Sequence, residues 1–212
     1  MFYLVAPAHS LISTTMPLSQ NIFLIGMPGA GKSTVGKLLA KIFARTFLDT
    51  DDEIVRRNGV EIATIFEIEG EDGFRQREVG VIDELTRQSG IVLATGGGAI
   101  LRAENRQVLA ERGVVVYLCA NIDVLVQRTT QDSGKRKKRP LLDNIDVRER
   151  LVSLLAIREP LYNQIAHLKV DANMTTRSRF VQKLAADIAE FIAKRDVAEK
   201  LQPQKSNPTS NT

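Results

Sequence analysis

Several residue types that constrain a protein's chemistry are scarce in this 212-residue chain, which has no tryptophan, one cysteine and two histidines. The lone Cys119 cannot form an internal disulfide, and its apolar surroundings favour a buried side chain over a reactive thiol. This scarcity predicts a reducing, cytoplasmic compartment. His9 and His167 have no partners that the sequence identifies, and we expect them to be surface or packing residues.

Long apolar runs are also missing. No segment approaches the roughly 20 apolar residues that a transmembrane helix needs, so the sequence predicts no membrane insertion. The hydrophobic fraction of 43% and the charged fraction of 25% are ordinary for a globular protein. The excess of 29 Lys and Arg over 25 Asp and Glu is modest, so it favours anionic ligands without requiring a nucleic-acid partner.

The two ends of the chain differ from its centre in composition. Residues 1–20 contain no Lys or Arg and so lack the positive region of a secretory signal; we expect a flexible extension, with Met16 as an alternative start. Residues 201–212 are polar and contain two prolines, which predicts a disordered tail. Residues 21–200 are predicted to form a single domain.

Short β-like runs alternate with helical patterns between these ends. The alternation predicts an α/β fold of three layers, with helices on both faces of a five-stranded parallel sheet. The predicted strands are mostly apolar, as strands buried on both faces should be, and span residues 21–25, 46–48, 91–94, 114–118 and 168–170. The predicted helices span residues 32–44, part of 52–68, 73–88, 103–112, 122–130, 147–158 and 177–200.

The first strand runs into the segment GMPGAGKST, which matches the pattern G-x-x-x-x-G-K-[ST] between a strand and a helix. In such a loop the backbone N–H groups and the positive helix end surround phosphates, while Lys32 reaches the β- and γ-oxygens and Ser33 ligates Mg²⁺. The loop therefore predicts binding of a nucleoside triphosphate. The residues predicted to bind it here are Gly29, Ala30, Gly31, Lys32, Ser33 and Thr34.

The sequence also lacks the guanine-reading pattern N-K-x-D, because no Asn is followed by Lys, and this disfavours a GTP switch. The strand that ends at Thr95 delivers glycines where a metal-binding carboxylate would be usual. Asp49 and Asp51 follow another short strand, and two carboxylates at this spacing can serve a metal and an acceptor hydroxyl. The alternative is a charged turn that caps the next helix, a role that suits Asp52 and Glu53.

Three consecutive glycines, Gly96, Gly97 and Gly98, interrupt the apolar segment LATGGGAIL. Ordering bare backbone is entropically costly, so such a run needs a reason. A tight turn with positive φ explains one glycine but accounts poorly for three. Close approach of a ligand to the backbone is the interpretation that the triplet favours.

Taken together, the motifs between Asn21 and Val170 resemble those of the shikimate kinases, a family of the nucleoside monophosphate kinase-like group of P-loop enzymes. The matching parts are GMPGAGKST, DTD at 49–51, FR at 74–75 followed by Glu78, GGG at 96–98, RPLL at 139–142 and REPLY at 158–162. The resemblance implies a P-loop NTPase fold with a mobile lid at about 132–146. It also implies ATP-dependent phosphorylation of the 3-hydroxyl of shikimate, on the way to chorismate and the aromatic amino acids.

The resemblance further implies roles for single residues. Arg75 and Arg158 hold the shikimate carboxylate, and the glycine triplet lies against the ring. Asp51 hydrogen-bonds the reacting hydroxyl and accepts its proton, whereas Asp49 serves the Mg²⁺ shell. Glu78 lies on the same helix face as Arg75 and can fix the direction of an arginine.

The basic run KRKKR, which ends at Arg139, falls in the implied lid. There Arg139 would close over the phosphates and, with Lys32, stabilise charge in the transition state. A nucleic-acid patch and a solvated loop are the alternatives for this run. Arg128 matches a position near adenine, with a surface helix arginine as its alternative. The expected partners are ATP and shikimate, with no nucleic acid or membrane, and the expected state is a monomer.

Two other function classes stay open at this point. Another small-molecule kinase of the same fold, such as a gluconate kinase, would also need a phosphate loop, a lid and a site for a hydroxy acid. It would not be expected to combine the glycine triplet with the arginines of FR and REPLY. A nucleotide-dependent binding module would bind ATP without turnover stimulated by a hydroxy acid.

Overall fold

The computed structural model describes residues 20–132, 146–173 and 177–201. Apart from their border residues, three predicted segments lie outside the described residues: the N-terminal extension, the lid and the C-terminal tail. Arg139 lies outside them as well.

One parallel sheet forms the centre of the molecule. Its five strands lie in the order β2-β3-β1-β4-β5, which confirms the predicted five-stranded parallel sheet. The strands are β1 (Asn21–Ile25), β2 (Thr46–Asp49), β3 (Ile91–Ala94), β4 (Gly113–Cys119) and β5 (Leu168–Asp171). Each differs from its predicted range by no more than one residue at either end.

The central strands are buried on both faces, as their unbroken apolar sequences require. Phe23 of β1 pairs with Leu93 of β3 and with Val115 of β4, and all three side chains have no exposed surface. The edge strands β2 and β5 are partly exposed. The core is therefore centred on β1, whose carboxyl end carries the phosphate loop.

Helices cover the sheet in two layers. The helices of the described residues are α1 (Lys32–Ile42), α2 (Thr50–Asn58), α3 (Ile62–Thr86), α4 (Ala103–Arg112), α5 (Ile122–Asp132), α6 (Val147–Ile165) and α7 (Arg177–Leu201). Helix α1 packs against β1, β2, β3 and α7, whereas α4 packs against β4, α3 and α6. These contacts fit the predicted three-layer α/β/α arrangement.

The helix predicted within residues 52–68 is in fact two separate segments. Helix α2 begins at Thr50 and ends at Asn58, where Gly59 adopts the left-handed conformation (φ 68°) that commonly ends a helix. A new helix then begins at Ile62 and continues to Thr86 through a kink at Gly70 (φ 70°, ψ −173°). The kink divides α3 into two helical parts, and the second part begins close to the predicted start at Gly73.

Helix α6 continues beyond its predicted end at Arg158 to Ile165, although it contains Pro160. A proline inside a helix removes one backbone hydrogen bond and usually ends or kinks the helix. Here the residues after the proline are buried, with Tyr162 1% and Ile165 8% exposed. Tertiary packing therefore outweighs the local preference.

Helix α7 runs for 25 residues at the end of the described chain. Phe180, Leu184 and Ile188, at a spacing of four residues, are buried along one side of it. Among the residues that the structure describes, no helix combines the length and the apolar character needed to cross a membrane.

The start of β4 provides a test of the packing around β1. Gly113 pairs with Asn21, and a Cβ at this position would lie 2.7 Å from the Asn21 carbonyl oxygen and 2.7 Å from Cε2 of the buried Phe23. We expect Gly113→Ala to lower the free energy of unfolding by about 1–3 kcal/mol, because neither the backbone nor the ring can move away freely. Denaturant unfolding measures the effect.

Gly80 provides the matched control for this substitution. It is exposed on α3, and a Cβ there would have no other heavy atom within 4 Å. Gly80→Ala should raise the free energy of unfolding by about 0.5–1 kcal/mol, since alanine loses less backbone entropy on folding. Equal stability of the Gly113→Ala protein and the unsubstituted chain would contradict the described packing.

Candidate active site

The loop between β1 and α1 has the conformation of a phosphate-binding loop. Gly26, Gly29 and Gly31 have φ angles of 141°, 82° and 92°, which L-residues with side chains rarely adopt. The Ala30 N–H donates to the Met27 carbonyl at 3.1 Å and closes a turn within the loop. These backbone conformations suit an anion site, in which loop N–H groups and the start of the following helix face one anion.

Lys32 begins α1 and folds back over this loop. Its ammonium donates to the carbonyl oxygens of Gly26 (2.8 Å) and Met27 (3.0 Å), and the residue is 9% exposed. These contacts hold the positive charge of Lys32 beside the loop, where the phosphates would bind. The position agrees with the predicted role of Lys32 in triphosphate binding.

Ser33 and Asp49 lie together, although 16 residues separate them in the sequence. The Ser33 hydroxyl donates to Asp49 Oδ2 at 2.6 Å, while Asp49 Oδ1 accepts from the Asp51 N–H at 3.1 Å and caps α2. Hydroxyl and carboxylate oxygens are the hard ligands that Mg²⁺ prefers. No group of three or more His, Cys, Asp and Glu side chains that could hold a metal occurs in the described ranges, so an ion here would depend on phosphate oxygens and water as well.

The glycine triplet follows β3 and lies against the side chains of the neighbouring elements. The Gly96 N–H donates to the hydroxyl of the fully buried Thr50 at 2.8 Å. A Cβ at Gly96 would lie 2.7 Å from Glu78 Oε1 and 2.9 Å from Asp51 Oδ1. Both carboxylates can therefore approach the chain only because residue 96 has no side chain.

The other two glycines are enclosed in the same way. A Cβ at Gly97 would lie 2.8 Å from Cδ of Pro28 in the phosphate loop, and one at Gly98 would lie 2.6 Å from Cζ of Arg75. All three glycines are described, and none has a positive φ, so a positive-φ turn does not explain them. The protein's own site side chains make the close approach that the triplet requires.

Arg75 projects from α3 into this cluster and is 5% exposed. Its guanidinium donates to Glu78 Oε2 at 2.6 Å and to Glu71 Oε1 at 3.0 Å, and it lies 5.1 Å from the centre of the Phe74 ring. These partners hold the guanidinium in one direction. Spacings of three and four residues on one helix place both carboxylates within its reach.

Glu78 has no exposed surface. Burial raises the pKa of Glu78 to about 7, and the nearby charge of Asp51 adds to the rise, whereas Arg75 acts in the opposite direction. Its Oε2 is paired with Arg75, but among the described residues its buried Oε1 has no hydrogen-bond partner. Glu78 is therefore a carboxyl group that changes its charge near neutral pH.

Arg158 adds a second buried cation from α6 and is 2% exposed. Burial lowers the pKa of Arg158, and the positive charge of Arg75 also acts to lower it. Two buried guanidinium groups that influence each other suit an anionic ligand, because planar guanidinium groups bind carboxylates through paired donors.

Arg128, on α5, lies close to the phosphate loop. It donates to the Ala172 carbonyl at 3.0 Å, and its Nη1 lies 4.0 Å from the point that a Cβ at Gly31 would occupy. These contacts place Arg128 beside the phosphate loop. Its predicted contact with adenine stays a prediction.

Most residues predicted for the site thus converge at the carboxyl edge of the sheet, where the ligands of open α/β sheets bind. Around the glycine triplet the fold brings together Asp51, Arg75 and Glu78. Sequence reasoning did not single out Thr50, which accepts a hydrogen bond from the Gly96 N–H, or Tyr162, which donates one to the Gly97 carbonyl. Their only sequence signal is their presence inside the DTD and REPLY motifs.

Comparison with known proteins agrees with this site. The family model described as shikimate kinase matches residues 28–191. A shikimate kinase of Nitrosomonas europaea is 52% identical over 172 residues, which cover 81% of this chain and 80% of the relative. The solved structure of a shikimate kinase from Acinetobacter baumannii in complex with shikimate is 44% identical, with a TM-score of 0.71, and the match covers 89% of this chain and 97% of that one.

A gluconokinase from Sinorhizobium meliloti has a TM-score of 0.58 at 17% identity, over 87% of this chain and 99% of that one. At this identity the likeness shows the P-loop kinase fold alone. The family model and the relatives at higher identity go further, and they show that this chain belongs to the shikimate kinase family of ATP-dependent kinases.

Proposed function

We propose that the site transfers the γ-phosphate of ATP to the 3-hydroxyl of shikimate, giving ADP and shikimate 3-phosphate in the pathway to chorismate. The observation that carries the residue assignments is the convergence of Asp51, Arg75 and the glycine triplet beside the phosphate loop. This arrangement offers an anion site for ATP and a cationic cleft for a hydroxy acid at one edge of the sheet.

The donor half of the site consists of the phosphate loop and α1. Its backbone N–H groups from Gly29 to Thr34 bind the triphosphate, and Lys32 neutralises charge on the β- and γ-phosphates. Arg128 packs near the adenine. The conformation of the loop and the position of the Lys32 ammonium over it support these assignments.

A divalent metal is implied by the use of ATP, and we infer that it is Mg²⁺. The Ser33 hydroxyl and the Asp49 carboxylate, which lie 2.6 Å apart, are the groups that would hold it or its water shell. When bound, the ion would neutralise negative charge on the phosphate oxygens.

The acceptor half of the site is the cleft around the glycine triplet. Arg75 and Arg158 bind the shikimate carboxylate, and their burial excludes water that would weaken the interaction. The bare backbone of residues 96–98 lies against the ring. The hydrogen bonds of Arg75 with Glu78 and Glu71 fix the direction of its guanidinium before the acceptor binds.

Catalysis in this arrangement is mainly positioning and charge stabilisation. Asp51 aligns the 3-hydroxyl for in-line attack and accepts its proton. Lys32 and Arg139 stabilise the charge that develops on the transferred phosphoryl group. We assign residues 132–146 to a lid that excludes water, and this assignment, like that of Arg139, rests on the resemblance of the RPLL motif.

The proposed reaction also bears on the partners, the oligomeric state and the compartment of the protein. The proposal requires no nucleic acid, no membrane and no second subunit, so we infer a monomeric enzyme. The single cysteine and the use of ATP favour the cytoplasm. We assign residues 21–200 to one kinase domain.

Acceptor preference tests the proposed reaction directly. ADP release with ATP and Mg²⁺ should be stimulated strongly by shikimate, weakly or not at all by quinate, and not by gluconate, because two fixed arginines and the triplet select a rigid ring acid. A coupled ADP assay with the three acceptors and without acceptor measures this. Stimulation by gluconate alone would refute shikimate as the acceptor, although it would still agree with a kinase of this fold.

Substitution of Asp51 tests the alignment of the nucleophile. Asp51→Asn should lower kcat by about 10²-fold or more, because an amide cannot accept the proton, while ATP still binds with nearly unchanged affinity. The neighbouring Asp52 is exposed, and Asp52→Asn is the matched control that should retain activity. Near-normal turnover of the Asp51→Asn enzyme would remove this residue from the mechanism.

The pKa of Glu78, which burial raises to about 7, predicts pH dependence of acceptor binding. Below this pH the carboxyl is neutral; above it, a negative charge beside Arg75 opposes the shikimate carboxylate. The KM for shikimate should therefore rise several-fold between about pH 6 and about pH 8.

The variant Glu78→Gln should lose this rise, because its side chain stays neutral at every pH tested. Glu71→Gln is the control, since Glu71 also pairs with Arg75 but is 49% exposed and screened by solvent. It should retain the pH dependence. Identical pH profiles of the unsubstituted and Glu78→Gln enzymes would show that ionisation of Glu78 does not affect acceptor binding.

A further inference from the structure

Tyr162 ends the REPLY segment, and the proposed reaction provides no role for it. It lies on α6, it is 1% exposed, and its hydroxyl donates to the Gly97 carbonyl oxygen at 2.5 Å. This distance lies within the range for O–H···O hydrogen bonds. Burial raises the pKa of Tyr162, so the hydroxyl keeps its proton and remains a donor.

The hydrogen bond reaches the middle of the glycine triplet from the side of α6, while the phosphate loop approaches the same residue. A Cβ at Gly97 would lie 2.8 Å from Cδ of Pro28. The Tyr162 hydroxyl is also 3.9 Å from the sulfur of Met27 in the same loop. Gly97 therefore lies between Tyr162 and Pro28, at the junction of the proposed donor and acceptor halves.

Tyr162 follows Arg158 by four residues, so both side chains lie on one face of α6. Arg158 is near enough that its positive charge, and a side-chain hydrogen bond with the Tyr162 hydroxyl, act to lower the pKa of that hydroxyl, against the effect of burial. One helix face thus carries both Arg158, which is proposed to bind the carboxylate, and Tyr162. Among the described residues, Tyr162 is the only one whose side chain donates a hydrogen bond to a carbonyl of the triplet.

Packing fixes the hydroxyl independently of its hydrogen bond. The ring of Tyr162 stacks on that of Tyr117 from β4, with centres 4.9 Å apart and planes inclined by 25°. Tyr117 is also 1% exposed, so the pair belongs to the core. A ring held in this way presents its hydroxyl at a defined point, as a positioning group must.

We propose that Tyr162 is a positioning residue for the acceptor, whose hydroxyl fixes the peptide unit between Gly97 and Gly98 against which the acceptor lies. The inference rests on the proposed function of the cleft. Because a peptide unit is planar, a hydrogen bond to the Gly97 carbonyl also sets the direction of the Gly98 N–H. Glycines lack side chains that could restrain this unit by packing, so the restraint has to come from outside.

The phosphate loop has restraints of its own besides its contacts with Tyr162 and Gly97. Its conformation follows from its own glycines and from the contacts of Lys32 with Gly26 and Met27. Loss of the Tyr162 hydroxyl should therefore alter acceptor binding more than ATP binding. A general loss of folding or packing would change both alike.

The substitution Tyr162→Phe tests the proposal in the full chain. It keeps the stacked ring and leaves the Gly97 carbonyl without its donor, so we expect the KM for shikimate to rise about tenfold. The KM for ATP should change by less than about twofold. Tyr117→Phe is the matched control, because it removes a hydroxyl from the other ring of the same pair, and both KM values should stay within about twofold of those of the unsubstituted enzyme.

The variant Tyr162→4-aminophenylalanine should restore what Tyr162→Phe loses, because its amino group places a hydrogen-bond donor for the Gly97 carbonyl at nearly the same point. We expect it to recover most of the affinity for shikimate. An unchanged KM for shikimate in Tyr162→Phe, equal changes in both KM values, or failure of the amino variant to differ from the phenylalanine variant would overturn the proposal. Absence of shikimate-dependent turnover in the unsubstituted enzyme would instead refute the proposed function.

If Tyr162→Phe unfolds at assay temperature, shikimate binding is measured by calorimetry below its midpoint of unfolding, alongside Tyr117→Phe. Weaker binding in the Tyr162 variant alone supports the positioning role, and equal affinity of the two variants overturns it.

Discussion

The close approach of side chains to the bare backbone of residues 96–98 is the constraint on which the rest of the site depends. At Gly96 the carboxylates of Asp51 and Glu78 occupy the space that a Cβ would need, and at Gly98 the guanidinium of Arg75 does so. Core packing near a sheet leaves no room for such groups unless side chains are missing. The triplet therefore lets α2, α3 and the phosphate loop meet at one point, and the entropic cost of three glycines is offset by the contacts that result.

Charge at this point is unusually concentrated for a buried region. Arg75, Glu78 and Arg158 are each no more than 5% exposed. Burial of ions costs more than a single pair usually returns, so such a cluster is weak evidence for stability and is better explained by a ligand. The raised pKa of Glu78 and the lowered pKa of Arg158 have burial as their largest cause. In the proposed reaction, the shikimate carboxylate would add a further anion beside Arg75 and Arg158.

Parallel strands explain why these groups meet. The phosphate loop follows β1, Asp49 ends β2 and the triplet follows β3, and these three strands are neighbours in the sheet. Their carboxyl ends therefore open on the same edge. The Ser33–Asp49 hydrogen bond and the Gly96–Thr50 hydrogen bond tie the loops together across that edge. The buried face of α6 adds Arg158 and Tyr162 from above β4.

The sequence by itself determined the alternation of strands and helices, the phosphate loop and the strand bounds to within one residue, because hydrophobic periodicity and glycine spacing are local properties. It also assigned Asp51, Arg75 and Arg158 to one predicted site, because the motifs that contain them resemble those of a known family; it gave no contacts between them. Tertiary structure decided what touches the triplet, the pKa of Glu78 and the helix that continues past Pro160 to the buried Tyr162. These features depend on packing between residues far apart in the chain, where burial outweighs local preference.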